Sequence, residues 1–354
     1  MSVVTFKCKN CGGELLFDPE TQGFHCEYCG SDFTREELGE EPVAEREDEP
    51  TPKAEQAADE DAFYEHAVEY VCPSCGAEVV AEDSTAATTC YYCHNPVVLS
   101  SRLSNKLKPD KVIPFVLEKK EAIQAFHNWR KKKWFLKRGF AQEAQLEKMS
   151  GVYFPYWKID CETNGHIRAQ AENIRTWRVG DTEYTETQVY QVIRDGQVDL
   201  DDITFTAMSR PDIDLTQGVY PYEYEKAVDF SMAYLSGFQA ERRMTQKSDI
   251  EPRAREKIQE YTRKCIEDTI TGYTHVSVQH ASSEMIRENW EYVLLPAWVL
   301  TYQFRGKTYY YAVNGQTGKT CGRLPLSIGR LAALFAGVTA AVFCVSFLIG
   351  GLLL

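Results

Sequence analysis

The order of apolar and polar positions divides the chain into stretches of different character. Val112-Ile-Pro-Phe-Val-Leu117 is a short apolar run that reads as a strand, with Pro114 placing it at an edge or a strand end. Over 118–135 the apolar positions Ile123, Phe126 and Trp129 recur at helical spacing. Strand-like composition then takes over. The segments 151–160, 164–171, 183–193 and 203–208, rich in Thr, Tyr, Val and Ile, read as separate strands. From Ser248 the period returns to that of a helix, with a capping side chain, Pro252 in the first turn and an end near Thr271. Its inward positions are read as Ala254, Ile258, Tyr261, Cys265 and Ile266. The alternating stretch Tyr273–His280 reads as a further strand. A β-meander follows, with strands over 292–304, 307–313 and 319–323 separated by Arg305-Gly306 and by a turn that begins at Asn314-Gly315.

Two stretches depart from this pattern. Residues 331–354 carry 24 residues without a charge. About 20 apolar residues cross the hydrocarbon core, so 326–354 is expected to be a single C-terminal transmembrane anchor. Arg323 and Arg330 before it place the preceding chain in the cytoplasm. At the other end, 35–61 holds 12 acidic and 3 basic residues with Pro42, Pro50 and Pro52 and few large apolar side chains. That composition cannot offset chain entropy, and 34–66 is expected to be a disordered acidic linker.

Cysteine spacing adds the chemistry. Cys8-x2-Cys11-x14-Cys26-x2-Cys29 recurs as Cys72-x2-Cys75-x14-Cys90-x2-Cys93, every position displaced by 64. Structural zinc takes four tetrahedral ligands, thiolate among the preferred ones, and two Cys-x2-Cys turns supply them. The expectation is two zinc ions per chain, held by Cys8, Cys11, Cys26 and Cys29 in a ribbon over 1–33 and by Cys72, Cys75, Cys90 and Cys93 in a second over 67–101. Iron is the second candidate metal. Gly12, Gly30 and Gly76 suit knuckle positions that need unusual dihedrals. Four thiolates leave no open coordination position, so these sites are structural and no catalytic role is assigned.

Charge sharpens the reading of partners. Residues 1–101 hold 5 Lys and Arg against 22 Asp and Glu, a balance of −17, whereas 102–354 carry +4. Phosphate would be repelled from the ribbons, so protein partners are favoured over nucleic acid. The one basic, aromatic-interleaved stretch, Trp129–Arg138, reads as a helix with Trp and Phe in the core, or as a contact for anionic lipid or nucleic acid. Gly315-Gln-Thr-Gly-Lys-Thr320 lacks the first glycine of a phosphate loop and reads as a β-turn. The expected architecture is therefore α+β and multidomain: two ribbons, a β-rich mixed α/β body over 102–325 and the C-terminal helix.

The paired Cys-x2-Cys sets, Gly151-Val-Tyr-Phe-Pro-Tyr-Trp157, Phe230-Ser-Met-Ala-Tyr-Leu-Ser-Gly-Phe-Gln-Ala240, Leu294-Leu-Pro-Ala-Trp298 and Tyr311-Ala-Val-Asn-Gly-Gln-Thr-Gly-Lys319 together resemble the YdjG-like bacterial membrane proteins. That resemblance implies two TFIIB-type zinc ribbons and a membrane scaffold that recruits flotillin-like (SPFH) and PspA-type envelope-stress proteins. The helicase label (PriA-like) that such proteins often carry does not suit a chain without an ATP-binding loop. The expected function is a zinc-ribbon adaptor at the cytoplasmic membrane face; the alternative is a nucleic-acid-binding accessory.

Overall fold

The computed structural model describes residues 3–4, 6–38, 67–71, 78–82, 85–89, 96–99, 108–133, 135–136, 149–208, 218–241, 243–304, 307–323, 325 and 327–353. Four short strands come first: β1 (Val3–Val4), β2 (Leu15–Asp18), β3 (Gly23–Cys26) and β4 (Asp32–Phe33). A helical turn, α1 (Arg35–Leu38), follows, with Thr34 and Glu37 capping each other. β5 (Ala67–Val71), β6 (Glu78–Glu82), β7 (Thr85–Thr89), β8 (Pro96–Leu99) and β9 (Lys111–Val112) lead to the helix α2 (Lys119–Lys131).

Three long strands dominate the rest. β10 (Ser150–Val179) and β11 (Thr182–Thr206) form one antiparallel hairpin closed by Gly180 and Asp181, and Gly180 takes a φ of 62°. Two short strands, β12 (Val228–Asp229) and β13 (Gln239–Glu241), precede the helix α3 (Lys247–Glu267). β14 (His275–Phe304) then lies antiparallel along the other side of β10. β15 (Lys307–Asn314) and β16 (Thr320–Gly322) complete the meander, and α4 (Ile328–Leu353) follows. The main sheet has 11 strands in the order β1-β8-β7-β13-β10-β14-β15-β16, with β11 on β10 and β9 between β12 and β14.

The α+β expectation is corrected here, because the described residues are mainly β-sheet with few helices. The segments 151–160 and 164–171 are parts of one strand, and 183–193 and 203–206 are parts of another, which ends at Thr206. Between 160 and 164 the first strand runs on without interruption, and Asn164-Gly165 pairs in register with Gln197-Gly196. Gly165 serves packing instead: a Cβ there would lie 2.9 Å from both Ile266 and Thr262 of α3. The buried stripe of α3 is Ile250, Ala254, Ile258, Thr262 and Ile266. Tyr261 and Cys265, expected inward, are exposed. Thr262 can be buried because its hydroxyl is hydrogen-bonded to that of Thr163 at 2.8 Å.

Val152-Tyr-Phe-Pro-Tyr-Trp157 and Val293-Leu-Leu-Pro-Ala-Trp298, alike in sequence, pair with each other, with Tyr153 opposite Pro296 and Pro155 opposite Leu294. Around them lies an aromatic core. Phe115 stacks on Phe238 at 4.2 Å and meets the edges of Tyr153 and Trp298. Phe126 of α2 meets Tyr311, and Ile123 and Trp129 pack partly buried on the same cluster, as the helical spacing predicts. The Gly315–Lys319 segment is a turn. Buried Asn314 accepts from the amides of Gln316 and Thr317 and donates to the carbonyls of Val219 and Pro221.

The transmembrane expectation is also corrected. A span needs roughly 20 consecutive apolar residues. Among the described residues no helix is long and apolar enough to cross a membrane. The single-pass anchor over 326–354, and with it the membrane-bound placement of the chain, is set aside. The start of α4 is tied to the body: Ser327 N–H donates to the Phe135 carbonyl and Arg330 to that of Leu136.

Candidate metal centre

Cys8, Cys11, Cys26 and Cys29 come together at one end of the small β2-β3-β4 sheet. Their sulfurs all lie within 4.8 Å of one another, with Cys8 to Cys29 at 3.6 Å and Cys11 to Cys26 at 3.5 Å. A tetrahedron built on zinc–sulfur bonds of about 2.3 Å has edges of about 3.8 Å, so the four sulfurs already stand near the corners that one metal requires. Cys8 and Cys26 are buried, whereas Cys11 and Cys29 face solvent.

The two knuckles are built alike. In each, the glycine after the second cysteine donates to the carbonyl of the first: Gly12 to Cys8 at 2.9 Å and Gly30 to Cys26 at 2.8 Å. Both glycines have positive φ, 74° and 70°, a region costly for a residue with Cβ. The first cysteine then donates onward, Cys8 to the Gly13 carbonyl and Cys26 to that of Ser31. Amides also reach sulfur, Asn10 N–H to Cys8 and Gly13 N–H to Cys11, both at 3.4 Å. Gly13 has its own constraint: a Cβ would lie 3.1 Å from that of Tyr28 and 3.2 Å from the sulfurs of Cys11 and Cys26.

Electrostatics divides the four thiols. The hydroxyl and amide of Ser31, then the neighbouring Cys11, draw the Cys29 thiol down to about 6. The Gly13 amide lowers Cys11, but Cys29, desolvation, Cys26 and Cys8 together push it up to about 12. Crowded sulfurs without a cation must share protons; a bound dication expels them. His25 is not among the ligands. Its Nδ1 lies 2.6 Å from Asp32, which raises its pKa. Cys161, Cys265 and Cys321 stand apart, and among the described residues the N-terminal four form the one cluster suited to a metal.

Cys72, Cys75, Cys90, Cys93, Gly76 and His94 lie outside the described residues. The strands around them are described, and their pairing repeats that of the first set. Lys7 bridges Glu14 and His25 pairs with Asp32, flanking the first two cysteine turns. Val71 pairs with Glu78 and Thr89 with Pro96. Each of these four partners is displaced by the same 64 positions as the cysteines.

The first ribbon is seated on the body, which sequence reasoning missed. Leu15, Phe17 and Phe24 are buried. Phe17 meets Tyr234 edge-on at 5.2 Å and Phe238 at 6.4 Å, and Phe24 approaches Tyr234 at 6.0 Å. Phe17 N–H donates to the Ser236 carbonyl, the Ser236 hydroxyl to the Leu15 carbonyl, and Gln22 to the carbonyl of Phe115. The seat is the 3-10 turn Met232–Leu235 and the residues after it. The motif Phe230–Ala240 was visible as a sequence likeness, but nothing local marked it as a docking surface.

A protein of Bacillus subtilis (strain 168), described as uncharacterized protein YdjG, is 36% identical over 353 residues, covering 99% of this chain and 99% of its own length. No family model matches, and no solved structure matches. The identity over both full lengths shows that the chain belongs to the YdjG family.

Proposed function

We propose that this member of the YdjG family is a zinc-stabilised scaffold that recruits protein partners. The observation that carries the reading is the closed arrangement of Cys8, Cys11, Cys26 and Cys29 in a ribbon seated on the body. Four thiolates fill a tetrahedral zinc and leave no position for water or substrate, so the centre holds shape. The chain's own residues do the rest: the knuckle amides orient the sulfurs, and Phe17 and Phe24 fix the ribbon against Tyr234. The repeated pairing around Cys72, Cys75, Cys90 and Cys93 supports a second zinc in a ribbon of the same build.

The surface near the centre favours protein over nucleic acid. Glu14, Asp18, Glu20, Glu27 and Asp32 outnumber Lys7 and Lys9 in the first ribbon, and four thiolates around a dication add further negative charge. Phosphate would be repelled. The candidate partners are those that the sequence resemblance implies, flotillin-like and PspA-type proteins.

The test is co-purification of the tagged full chain with a flotillin-like or a PspA-type protein, in wild-type and Cys8→Ser/Cys11→Ser forms. Retention by wild type and loss in the variant is the expected result. Retention of neither protein, or salt-sensitive binding of oligonucleotides in their place, would overturn the proposal.

A further inference from the structure

Among the described residues, the long strand β14 has a free stretch on its outer edge. On its inner side it pairs with β10 from His275 to Val299. On its outer side, among the described residues, β9 takes Val293 and Leu294 and β15 takes 297–304. Within the free part, register shifts opposite Glu162/Thr163 and Arg168/Ala169 leave Ile286 and Gln279 as extra residues. Between these bulges the regular window His280–Met285 presents a row of backbone groups that no described strand pairs, about 20 Å long at roughly 3.3 Å per residue.

The helix above the sheet leaves this window uncovered. Ile266 sits over Gly165 of β10 and Gly196 of β11, so α3 lies toward the β11 side. Between α3 and the β14 edge runs a groove of about 1010 Å³, with Val278, Ala281 and Ser283 toward the sheet and Glu256, Glu260 and Glu267 on the helix wall. Small side chains at 281–283 leave room for a backbone to approach. Asp268 adds to the acidic wall. Against it stand Lys264, Arg263, paired with Glu267 at 3.3 Å, and Lys257, paired with Glu260 at 3.4 Å, so Glu256 and Asp268 are the carboxylates open to a ligand.

We propose that this groove takes an extended, basic peptide of a partner protein, which adds as a strand to the His280–Met285 edge of β14. Main-chain hydrogen bonds to the free edge supply affinity, and lysine or arginine side chains on the helix-facing side meet Glu256 and Asp268. The site is separate from the metal centre and does not depend on it.

The experiment uses the full, metal-loaded chain and a fluorescein-labelled octapeptide of alternating lysine and threonine. Saturable binding is expected in fluorescence anisotropy, with slowed amide exchange over 278–285. Glu256→Lys/Asp268→Lys, both exposed positions, should weaken it by about tenfold. N-methylation of alternate peptide amides should abolish it. Absence of saturable binding would overturn the proposal, as would equal binding of the N-methylated peptide or of one with glutamate in place of lysine. Zinc measured on the same sample separates this outcome from failure of the metal centre.

Discussion

The hydroxyl of Ser236 donates to the carbonyl of Leu15 at 2.5 Å, across 221 positions of sequence. Leu15 opens the strand that leads into the metal ribbon, and Ser236 ends the turn on which the ribbon rests. Both are buried, so removing the hydroxyl leaves an inner carbonyl short of a partner. Ser236→Ala should lower the free energy of unfolding by about 1–2 kcal/mol in urea denaturation. It should also speed proteolysis within 1–38, because the ribbon would leave its seat more often.

Gly13 is enclosed by the sulfurs of Cys11 and Cys26 and by Tyr28. Gly13→Val would force branched carbon into that space and move the ligands apart. Zinc affinity should fall by roughly 10–100-fold in a chelator competition, a size typical for groups that support metal ligands. Unchanged affinity would mean that the sulfurs adjust freely.

Lys158 is nearly buried and gathers three carboxylates, Asp160 at 2.5 Å, Glu291 at 3.2 Å and Asp202 at 3.5 Å, joining β10, β11 and β14. Burial would lower its pKa, but Asp160 and Glu291 outweigh that and raise it. Lys158→Met should cost about 2 kcal/mol, discounted for the partial exposure of its partners. Thermal denaturation of the variant measures it.

Tyr220 and Tyr222 are held protonated well above the ordinary tyrosine range, burial being the main cause for both. Unfolded tyrosine releases its proton near pH 10. Above that pH the native state binds protons that the unfolded state has lost, so stability is full below it and falls as pH rises through it. Tyr222→Phe also removes a hydrogen bond to the Pro296 carbonyl. It should start less stable at neutral pH and show an alkaline limb shallower by up to about 1.4 kcal/mol per pH unit. Urea denaturation across roughly pH 8–11 tests the slope.

The first cysteine set and its knuckle glycines were legible because ligand spacing and positive φ are local demands. Pro252 and the stripe through Ala254, Ile258 and Ile266 marked α3 for the same reason. The burial of Thr262 was not legible, because a polar side chain reads as outward unless its partner, here Thr163, is known. The length of β10 and β11 was hidden for a different cause. Beyond Glu172 the hairpin is exposed on both faces, with Ile174, Trp177 and Tyr184 in solvent, so no apolar alternation marks it. Trp177 and Tyr184 stack across the strands at 5.8 Å, a contact that only the register creates. The seat of the ribbon depends on a pairing between positions near 16 and near 236, which no local pattern encodes. The apolar C-terminal run suggested a membrane span by its length and its flanking arginines, yet among the described residues no helix is long and apolar enough to cross a membrane.

Metal content is the most direct test of the account. The purified full chain, wild type and with Cys8→Ser/Cys11→Ser or Cys72→Ser/Cys75→Ser, should be examined by elemental analysis. The wild type should carry two zinc ions and each double variant one, with the Cys8/Cys11 variant also losing the seated ribbon. No metal in the wild type, or a content unchanged by Cys8→Ser/Cys11→Ser, would contradict the zinc-built scaffold.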